Sequence, residues 1–466
     1  MVAPPNDVGH SKPLPEYLED LSVADRPSPV GKRRGLGGES GSGRLHEIPI
    51  RSRSNPPLWK RLHALAFTLV FGLQLVSIHT LQLLLSPLHL LRLDKKTRLW
   101  HYRAAQFCKR LFSSALLVIT SLFAPTTFVI TADETVDLDQ VVVLDKKGRF
   151  KKLELDQQSL WVANHQQYCD WIFSWILFAL AHLDGGIIII LKASLRWAPI
   201  VGPAMQLFEF VFIDKKHRLQ DSDEIYHHAQ RSTALGLPFQ LLLYPEGTLV
   251  SALTRPKSEA YARTLGVVSS RKQSRTNHRL RRLEFIRSCP PFLQPDLENL
   301  VLPRSAGLLY CMRTALSVLP NLTLYDLTIG YEGIPPKGYA QSYYTIFSWF
   351  GFRTPSPRVH LHLHQLAAAE CPVGPRIEKG KSPRTIEREL TQEDRDTFDK
   401  WIRRRWEIKD GLMAQFYREG EFPKGRQGSR EIEVRARQRD WIGIALVFVL
   451  FFTVSSTVGG AVLRLL

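Results

Sequence analysis

Cysteine is scarce in this chain of 466 residues, and acidic side chains are outnumbered by basic ones. The five cysteines are odd in number and show no CxxC spacing, so we expect neither a disulfide framework nor a zinc knuckle. This usage is typical of a reducing compartment. Against 62 Lys and Arg there are 44 Asp and Glu, and the net charge of +18 indicates an anionic partner surface.

Aromatic side chains are almost missing from residues 1–58, which are rich in Pro, Gly, Ser and Arg. Such a segment cannot bury enough apolar surface to offset the entropy of ordering, so we predict a disordered basic arm. The segment has no short apolar core followed by a cleavage site, and we therefore expect no signal peptide.

Three long apolar runs indicate that the anionic partner is a membrane rather than a nucleic acid. They cover residues 62–93, 111–130 and 442–463, and the last is long enough to span a bilayer. We predict membrane-associated helices over residues 59–131 and a transmembrane helix over residues 441–463. Six Lys and Arg between the first two runs favour a hairpin in the cytosolic leaflet, with two full spans as the alternative.

Short apolar runs of strand length recur between the membrane segments, and helix-length segments lie between several of them. This alternation predicts an α/β fold, with a mixed central sheet flanked by helices over residues 132–372. A charged helical region is predicted over residues 373–440. The candidate strands begin at Leu160, Ile187, Phe239, Asn299, Leu324 and Val359.

The stretch LWVANHQQYCDW, residues 160–171, places His165 at the end of one candidate strand and Asp170 five positions later. On one regular helix, five residues would turn the two side chains about 140° apart. If His165 lies instead in a turn before a helix, the Asp170 carboxylate can bind one imidazole nitrogen and leave the other as a base. The nucleophile would then be a hydroxyl of the substrate. The alternative is a histidine satisfied at a strand end, with Asp170 capping the helix.

Two further strand ends carry polar motifs. In LLLYPEGTLV, Gly247 permits close backbone approach, and Thr248 offers a hydroxyl and an amide for phosphate-type oxygens, although a simple turn also explains the motif. In LVLPRSAGL, Arg304 follows Pro303, where a guanidinium suits phosphate or carboxylate and an ordinary surface cation is the alternative.

In this order, NHxxxxD, the stretch LKASLRWAPIVGPAMQLFEFVFIDKK, EGT and the VLPR block resemble the glycerolipid and lysophospholipid acyltransferase family. The segments LPRSAGL, LTIGYEG and RRRWEIKDGLMAQFYREGEFP are most similar to its eukaryotic branch of lysocardiolipin and membrane-bound lysophosphatidic acid acyltransferases. The resemblance covers residues 59–423 and implies a fold like that of glycerol-3-phosphate acyltransferase.

The resemblance also implies the chemistry. His165 would be the base and Asp170 would orient it, acyl-CoA would be the co-substrate, and neither a cofactor nor a metal ion would be needed. The acceptor would be an anionic lysophospholipid of the lysophosphatidic acid, lysophosphatidylinositol or lysocardiolipin type. Lys215 stands where the family has arginine and lacks the planar fork of a guanidinium. The residues implied for holding the glycerol phosphate part of the acceptor are Lys215, Glu246, Gly247 and Thr248. Pro303 and Arg304 are also implied for substrate binding, with Arg304 binding phosphate on either substrate.

Charge sets the expected topology. Arg464 is the only charged residue after the last apolar run, so we expect the catalytic domain in the cytosol and the C-terminus in the lumen. The membrane that we expect is that of the endoplasmic reticulum. The arginine-rich segment 269–287 is either a solvated surface insertion or a polybasic patch against anionic headgroups.

Other functions remain open at this point. A catalytically silent lipid-binding or scaffold protein, a CoA-independent transacylase and a lipid hydrolase are the alternatives to acyl-CoA-dependent transfer. In RVHLHLHQL, the side chains of His360, His362 and His364 share one strand face, which we interpret as a polar face rather than a zinc site.

Overall fold

An eight-stranded mixed sheet forms the centre of the computed structural model, which describes residues 44–87, 95–213, 218–264, 297–375, 377–378 and 381–465. The strand order is β10-β1-β9-β8-β4-β7-β5-β6, and β2 and β3 form a separate hairpin. The strands are β1 Thr126–Ala132, β2 Val142–Leu144, β3 Phe150–Leu153, β4 Gln158–Ala163, β5 Ile187–Lys192, β6 Val211–Ile213, β7 Phe239–Leu243, β8 Thr323–Tyr331, β9 Arg358–Ala367 and β10 Arg430–Val434.

Helices cover both faces of this sheet, which confirms the predicted α/β class. Apart from short 3-10 and π turns, the helices in the described residues are α1 Leu58–Leu85, α2 Lys95–Phe123, α3 Leu138–Val141, α4 Asp170–Leu180, α5 Val201–Leu207, α6 Arg218–Leu235, α7 Thr254–Thr264, α8 Ser305–Leu316, α9 Pro383–Arg388, α10 Gln392–Glu419 and α11 Gln438–Leu465.

Strands β8, β4, β7, β5 and β6 are parallel and make up the half of the sheet that carries the candidate site. Their side chains alternate between two cores. Trp161 packs on the face covered by α2 and α4, whereas Leu160 and Val162 pack on the face covered by α6, α8 and α10. Because parallel strands end at the same edge, the loops after β4, β7 and β8 meet there.

The sheet extends beyond the predicted range 132–372 at both ends. The apolar run 111–130 is not helical throughout, because Pro125 follows the end of α2 and the β-branched run Thr126–Ala132 forms β1. Within the charged region predicted to be helical, β10 pairs antiparallel with β1 and buries Ile432 and Val434. Both strands therefore close one side of the sheet.

One predicted strand is wrong. The run that starts at Asn299 is an extended loop, because its backbone N–H groups bind side chains instead of another strand. The Asp410 carboxylate accepts from the N–H groups of Glu298, Asn299 and Leu300 at 2.7–3.1 Å. This contact fixes the loop against α10.

Three helices of the described residues are long and apolar enough to cross a membrane: Leu58–Leu85, Leu99–Phe123 and Gln438–Thr457. They pack against one another, but their surroundings differ. The second lies largely inside the protein, while α1 and α11 expose apolar side chains such as Leu65, Leu69 and Leu446. These helices indicate a membrane protein.

Candidate active site

The turn between β4 and α4 brings His165 and Asp170 into contact, with 2.8 Å between His165 Nδ1 and Asp170 Oδ2. Asn164 fixes the start of this turn against β8. Its Oδ1 accepts from the Ile329 N–H at 2.7 Å, and its Nδ2 donates to the Ile329 carbonyl at 3.0 Å. The histidine therefore stands at the carboxyl edge of the parallel strands, where open α/β sheets bind ligands.

Asp170 is fully buried, and its carboxylate accepts four hydrogen bonds. Besides His165, its Oδ2 accepts from the backbone N–H groups of Gln166 and Gln167 at 2.6 and 3.0 Å. Its Oδ1 accepts from the Tyr331 hydroxyl at 2.5 Å. The carboxylate thus binds the imidazole and also closes the turn before α4. No local sequence pattern points to Tyr331, which lies 161 residues after Asp170.

The rest of the His165 ring is held by stacking. Its plane lies against the Tyr244 ring, with 4.5 Å between centroids and 27° between planes. Burial raises the pKa of Tyr244 well above its ordinary value, so this ring stays neutral. The His165 side chain is 23% exposed, and its Nε2 has no hydrogen-bond partner in the part of the chain that the structure describes. That nitrogen is available to a substrate.

The turn after β7 and the loop before α8 lie side by side next to this histidine. The Val250 N–H donates to the His165 carbonyl at 3.2 Å, and the Arg304 N–H donates to the Pro245 carbonyl at 2.8 Å. Gly247 has a φ of +68°, which favours glycine, and a Cβ there would lie 3.9 Å from Arg304 Cδ. The exposed Arg304 guanidinium lies 4.9 Å from the centre of the Tyr261 ring. An exposed cation, a tight glycine turn and the His–Asp pair therefore share one edge.

The other predicted binding residues have different surroundings. Thr248 is half-buried in the same turn, and Pro303 is buried before Arg304. Lys215 and the arginine-rich segment 269–287 lie outside the described residues.

Residues 145–327 match the acyltransferase family. This stretch is an acyltransferase domain. An uncharacterized acyltransferase of Schizosaccharomyces pombe is 26% identical over 389 residues, which cover 83% of this chain and 93% of the relative. A 2-acyl-1-lysophosphatidylinositol acyltransferase of Saccharomyces cerevisiae is 28% identical and covers 67% of this chain and 75% of its own length. Lysocardiolipin acyltransferase 1 of Danio rerio is 24% identical over 56% of this chain and 53% of its own length. No solved structure is significantly similar.

These matches confirm the resemblance found from the sequence motifs, and the chain is an acyltransferase enzyme. They identify the domain and the class of relatives.

Glu246 of this acyltransferase has a different position from the one predicted. It is 2% exposed, and its Oε1 accepts from the His165 N–H at 3.2 Å and from Trp406 Nε1 at 3.3 Å. A carboxyl group in this position supports the His165 backbone. Burial raises its pKa to about 8, so Glu246 is mostly protonated at neutral pH.

The three β9 histidines have separate partners. His360 Nε2 lies 2.9 Å from Glu332 Oε1, His362 Nδ1 lies 3.0 Å from Thr131 Oγ1, and His364 Nδ1 binds the Asp133 carboxylate. Burial lowers the pKa of His362 to about 4, so its ring is neutral at neutral pH. Among the described residues, no group of three His, Cys, Asp or Glu side chains could hold a metal ion.

We expect Glu246→Gln to keep activity within about threefold of the wild type at neutral pH, because an amide oxygen can accept both hydrogen bonds. Burial raises the carboxyl pKa from 4.5 to about 8, so the folded protein holds a proton that the unfolded chain releases in that window. Stability therefore falls as pH rises through the window, by at most about 1.4 kcal/mol per pH unit, and Glu246→Gln should flatten this slope.

The measurements are the initial rate and the thermal midpoint of each variant in lipid nanodiscs across that pH range. Glu246→Ala is the contrasting variant. It removes both acceptor contacts, and we expect about tenfold or greater loss of activity. Equal activity of the Gln and Ala variants would contradict a supporting role for this side chain.

Proposed function

We propose that this acyltransferase transfers an acyl group from acyl-CoA to a glycerol hydroxyl of an anionic lysophospholipid, in phospholipid synthesis or remodelling. The observation that carries the proposal is the His165 imidazole, bound through Nδ1 to buried Asp170 and open at Nε2. The names of the relatives support the acceptor class, since they specify lysophosphatidylinositol, lysocardiolipin and 1-acyl-sn-glycerol-3-phosphate as substrates.

In the proposed mechanism, Asp170 holds a proton on Nδ1, so Nε2 of His165 carries the free electron pair. Nε2 takes the proton of the acceptor hydroxyl while that oxygen attacks the thioester carbonyl carbon. The buried carboxylate stabilises the imidazolium that forms. The tetrahedral intermediate then collapses, the C–S bond breaks, and the CoA thiolate takes the proton from Nε2. An ester and free CoA are produced, and the histidine returns to its starting state.

The exposed guanidinium of Arg304 beside Gly247 is the proposed contact for phosphate oxygens. Thr248 adds a hydroxyl in the same turn, and buried Pro303 fixes the entry of Arg304. Lys215 stands in the sequence where the family has arginine, so we propose it as a second cation for the acceptor.

The test is to mix the purified enzyme with radiolabelled acyl-CoA and a panel of lysophospholipids, and then to follow the labelled diacyl product. Product formation only with acyl-CoA supports the proposal. Transfer from a diacyl phospholipid without CoA would indicate a transacylase, release of free fatty acid would indicate a hydrolase, and binding without product would indicate a silent lipid-binding protein. Faster turnover of lysophosphatidylcholine than of any acidic acceptor would contradict the headgroup assignment.

We expect Lys215→Ala to lose activity at every salt concentration, because its proposed contact is with the bound acceptor. The triple variant Arg279→Ala, Arg281→Ala and Arg282→Ala should instead raise the apparent KM on acidic vesicles and weaken its salt dependence, with kcat little changed. Each such cation near an anionic membrane contributes about 1 kcal/mol at most, and salt screens it. If both variants showed the same salt-sensitive change in KM, Lys215 would be an ordinary surface charge.

We propose that the catalytic domain is cytosolic on the endoplasmic reticulum and that the C-terminus is lumenal. The two ends of α1 contact the catalytic domain, through His63 Nδ1 and the Gly351 carbonyl at 2.7 Å and through Gln82 Nε2 and the Ala204 carbonyl at 3.3 Å. This arrangement supports a hairpin in the cytosolic leaflet. A tag after Leu466 should be protected from protease in sealed microsomes, and cleavage of that tag would contradict the orientation.

A further inference from the structure

The loop between β5 and β6 exposes four apolar side chains at the sheet edge that carries His165. These residues, here called the apolar tip, are Leu195, Trp197, Ile200 and Val201, with exposed fractions of 37%, 81%, 71% and 54%. Because β5 runs parallel to β7 and β7 runs parallel to β4, the loop leaves the sheet where His165 follows β4. An apolar patch of this kind on a protein surface marks an interaction site.

The backbone of the loop holds the apolar tip in a fixed shape. The Gly202 N–H donates to the Ala198 carbonyl at 2.8 Å, and Gln206 Nε2 donates to the Arg196 carbonyl at 3.0 Å. A Cβ at Gly202 would lie 2.4 Å from the Arg196 oxygen, so the turn requires glycine. Ile200 has a φ of +64°, which is rare for a β-branched residue. The fold therefore presents Ile200 outward at a conformational cost, as is typical of functional segments.

The tip is continuous with a helix that is itself apolar enough to lie in a membrane. Gln82 of α1 donates to the Ala204 carbonyl of α5 at 3.3 Å, and Leu83 and Leu84 beside it are about half exposed. Arg196, inside the tip, lies with its guanidinium 5.1 Å from the centre of the Phe212 ring. Exposed tryptophan and aliphatic side chains next to a cation are the composition of segments at the headgroup level of a bilayer.

We propose that the apolar tip inserts into the boundary between headgroups and acyl chains, and that the acceptor reaches His165 along this loop directly from the bilayer. A lipid surface fits better than a second copy of the chain because the tip adjoins the exposed apolar face of α1. The acceptor part of this inference rests on the proposed function, whereas the insertion itself does not.

Insertion is tested by site-directed labelling of the full chain in lipid nanodiscs. The Cys289→Ser background leaves only buried native cysteines, which the label should not reach. Trp197→Cys is introduced in this background and labelled with an environment-sensitive fluorophore. Leu144→Cys on the exposed β2–β3 hairpin is the matched control, since Leu144 is 51% exposed. We expect brominated acyl chains to quench the label at 197 and aqueous iodide to quench the label at 144. This readout needs no acyl transfer, so it stands even if the proposed reaction is wrong.

Delivery of the acceptor is tested with the double variant Trp197→Ser, Ile200→Asn, which replaces the two most exposed side chains of the apolar tip with polar ones. We expect an apparent KM about tenfold higher for a long-chain lysophospholipid in the bilayer, from the lost apolar contact. Turnover of a short-chain, water-soluble acceptor should not change, and Leu144→Ser should resemble the wild type with both acceptors.

Three results would overturn the inference. The first is iodide quenching of the label at 197 to the extent seen at 144. The second is protection of the label at 197 from iodide without quenching by brominated lipid, which would indicate a protein partner such as a second copy. The third is an equal loss of activity with short-chain and long-chain acceptors, which would place the tip in the chemistry rather than in the membrane.

Discussion

Replacing His165 with alanine is expected to lower kcat by about 10²–10⁴-fold, or roughly 3–5 kcal/mol of barrier, because the acceptor hydroxyl loses its base. The fold should persist. The side chain is partly exposed, and Asp170 keeps its hydrogen bonds from Gln166, Gln167 and Tyr331. The measurement is the initial rate of acyl transfer by purified wild-type and variant enzyme at equal protein concentration, with the thermal midpoint as the check on folding.

The chain provides a matched control for this experiment. His364 also binds a carboxylate, that of Asp133, but it lies on β9 away from the carboxyl edge of the parallel strands. His364→Ala removes a histidine from a similar pair and should leave kcat nearly unchanged. If His165→Ala kept more than about a tenth of the wild-type rate with normal expression, the proposed base would be wrong.

Replacing Asp170 with asparagine should be nearly as damaging, with a loss of about 10²–10³-fold in kcat. The two backbone N–H groups at Oδ2 require an oxygen there, so the new amide nitrogen would take the Oδ1 position and donate to the Tyr331 hydroxyl. The imidazole would keep its orientation but would lose the negative charge that stabilises the imidazolium. The KM for acyl-CoA should change little, because Asp170 is buried and does not touch the donor.

Steady-state kinetics of Asp170→Asn beside Asp133→Asn would separate charge loss at the site from a general effect of removing a carboxylate. A rise in KM with an unchanged kcat would contradict the proposed role, since that pattern indicates lost ground-state binding. Equal effects of the two substitutions would contradict it as well.

The sequence was informative where chemistry depends on neighbours along the chain. His165 and Asp170 are five residues apart, so the strand, turn and helix pattern offered their contact as one of two interpretations, and the family resemblance then favoured it. The strands that hold the site were predicted for the same reason, since β4, β5, β7 and β8 are buried on both faces and appear as short apolar runs.

The contacts that the sequence did not predict come from distant parts of the chain. Tyr331 follows Asp170 by 161 residues and Trp406 follows Glu246 by 160 residues, so no local spacing could connect them. The EGT motif suggested an acceptor-facing Glu246, but α10 covers its carboxyl group. β1 was not predicted because its apolar residues belong to the same apolar run as the end of α2. β10 was not predicted because it is a short edge strand in which charged residues alternate with apolar ones.

The pairing of β1 has a consequence for biosynthesis. β1 emerges early, yet its parallel partner β9 begins about 230 residues later, which takes roughly 10–45 s at typical rates of translation. During that time an apolar strand with open edges is prone to aggregation, and its attachment to the preceding membrane helices or a chaperone must protect it. The last strand, β10, ends at Val434, and α11 begins at Gln438. The sheet is therefore completed only as α11 leaves the ribosome, so closure of the catalytic domain and insertion of that helix belong to the same step of synthesis.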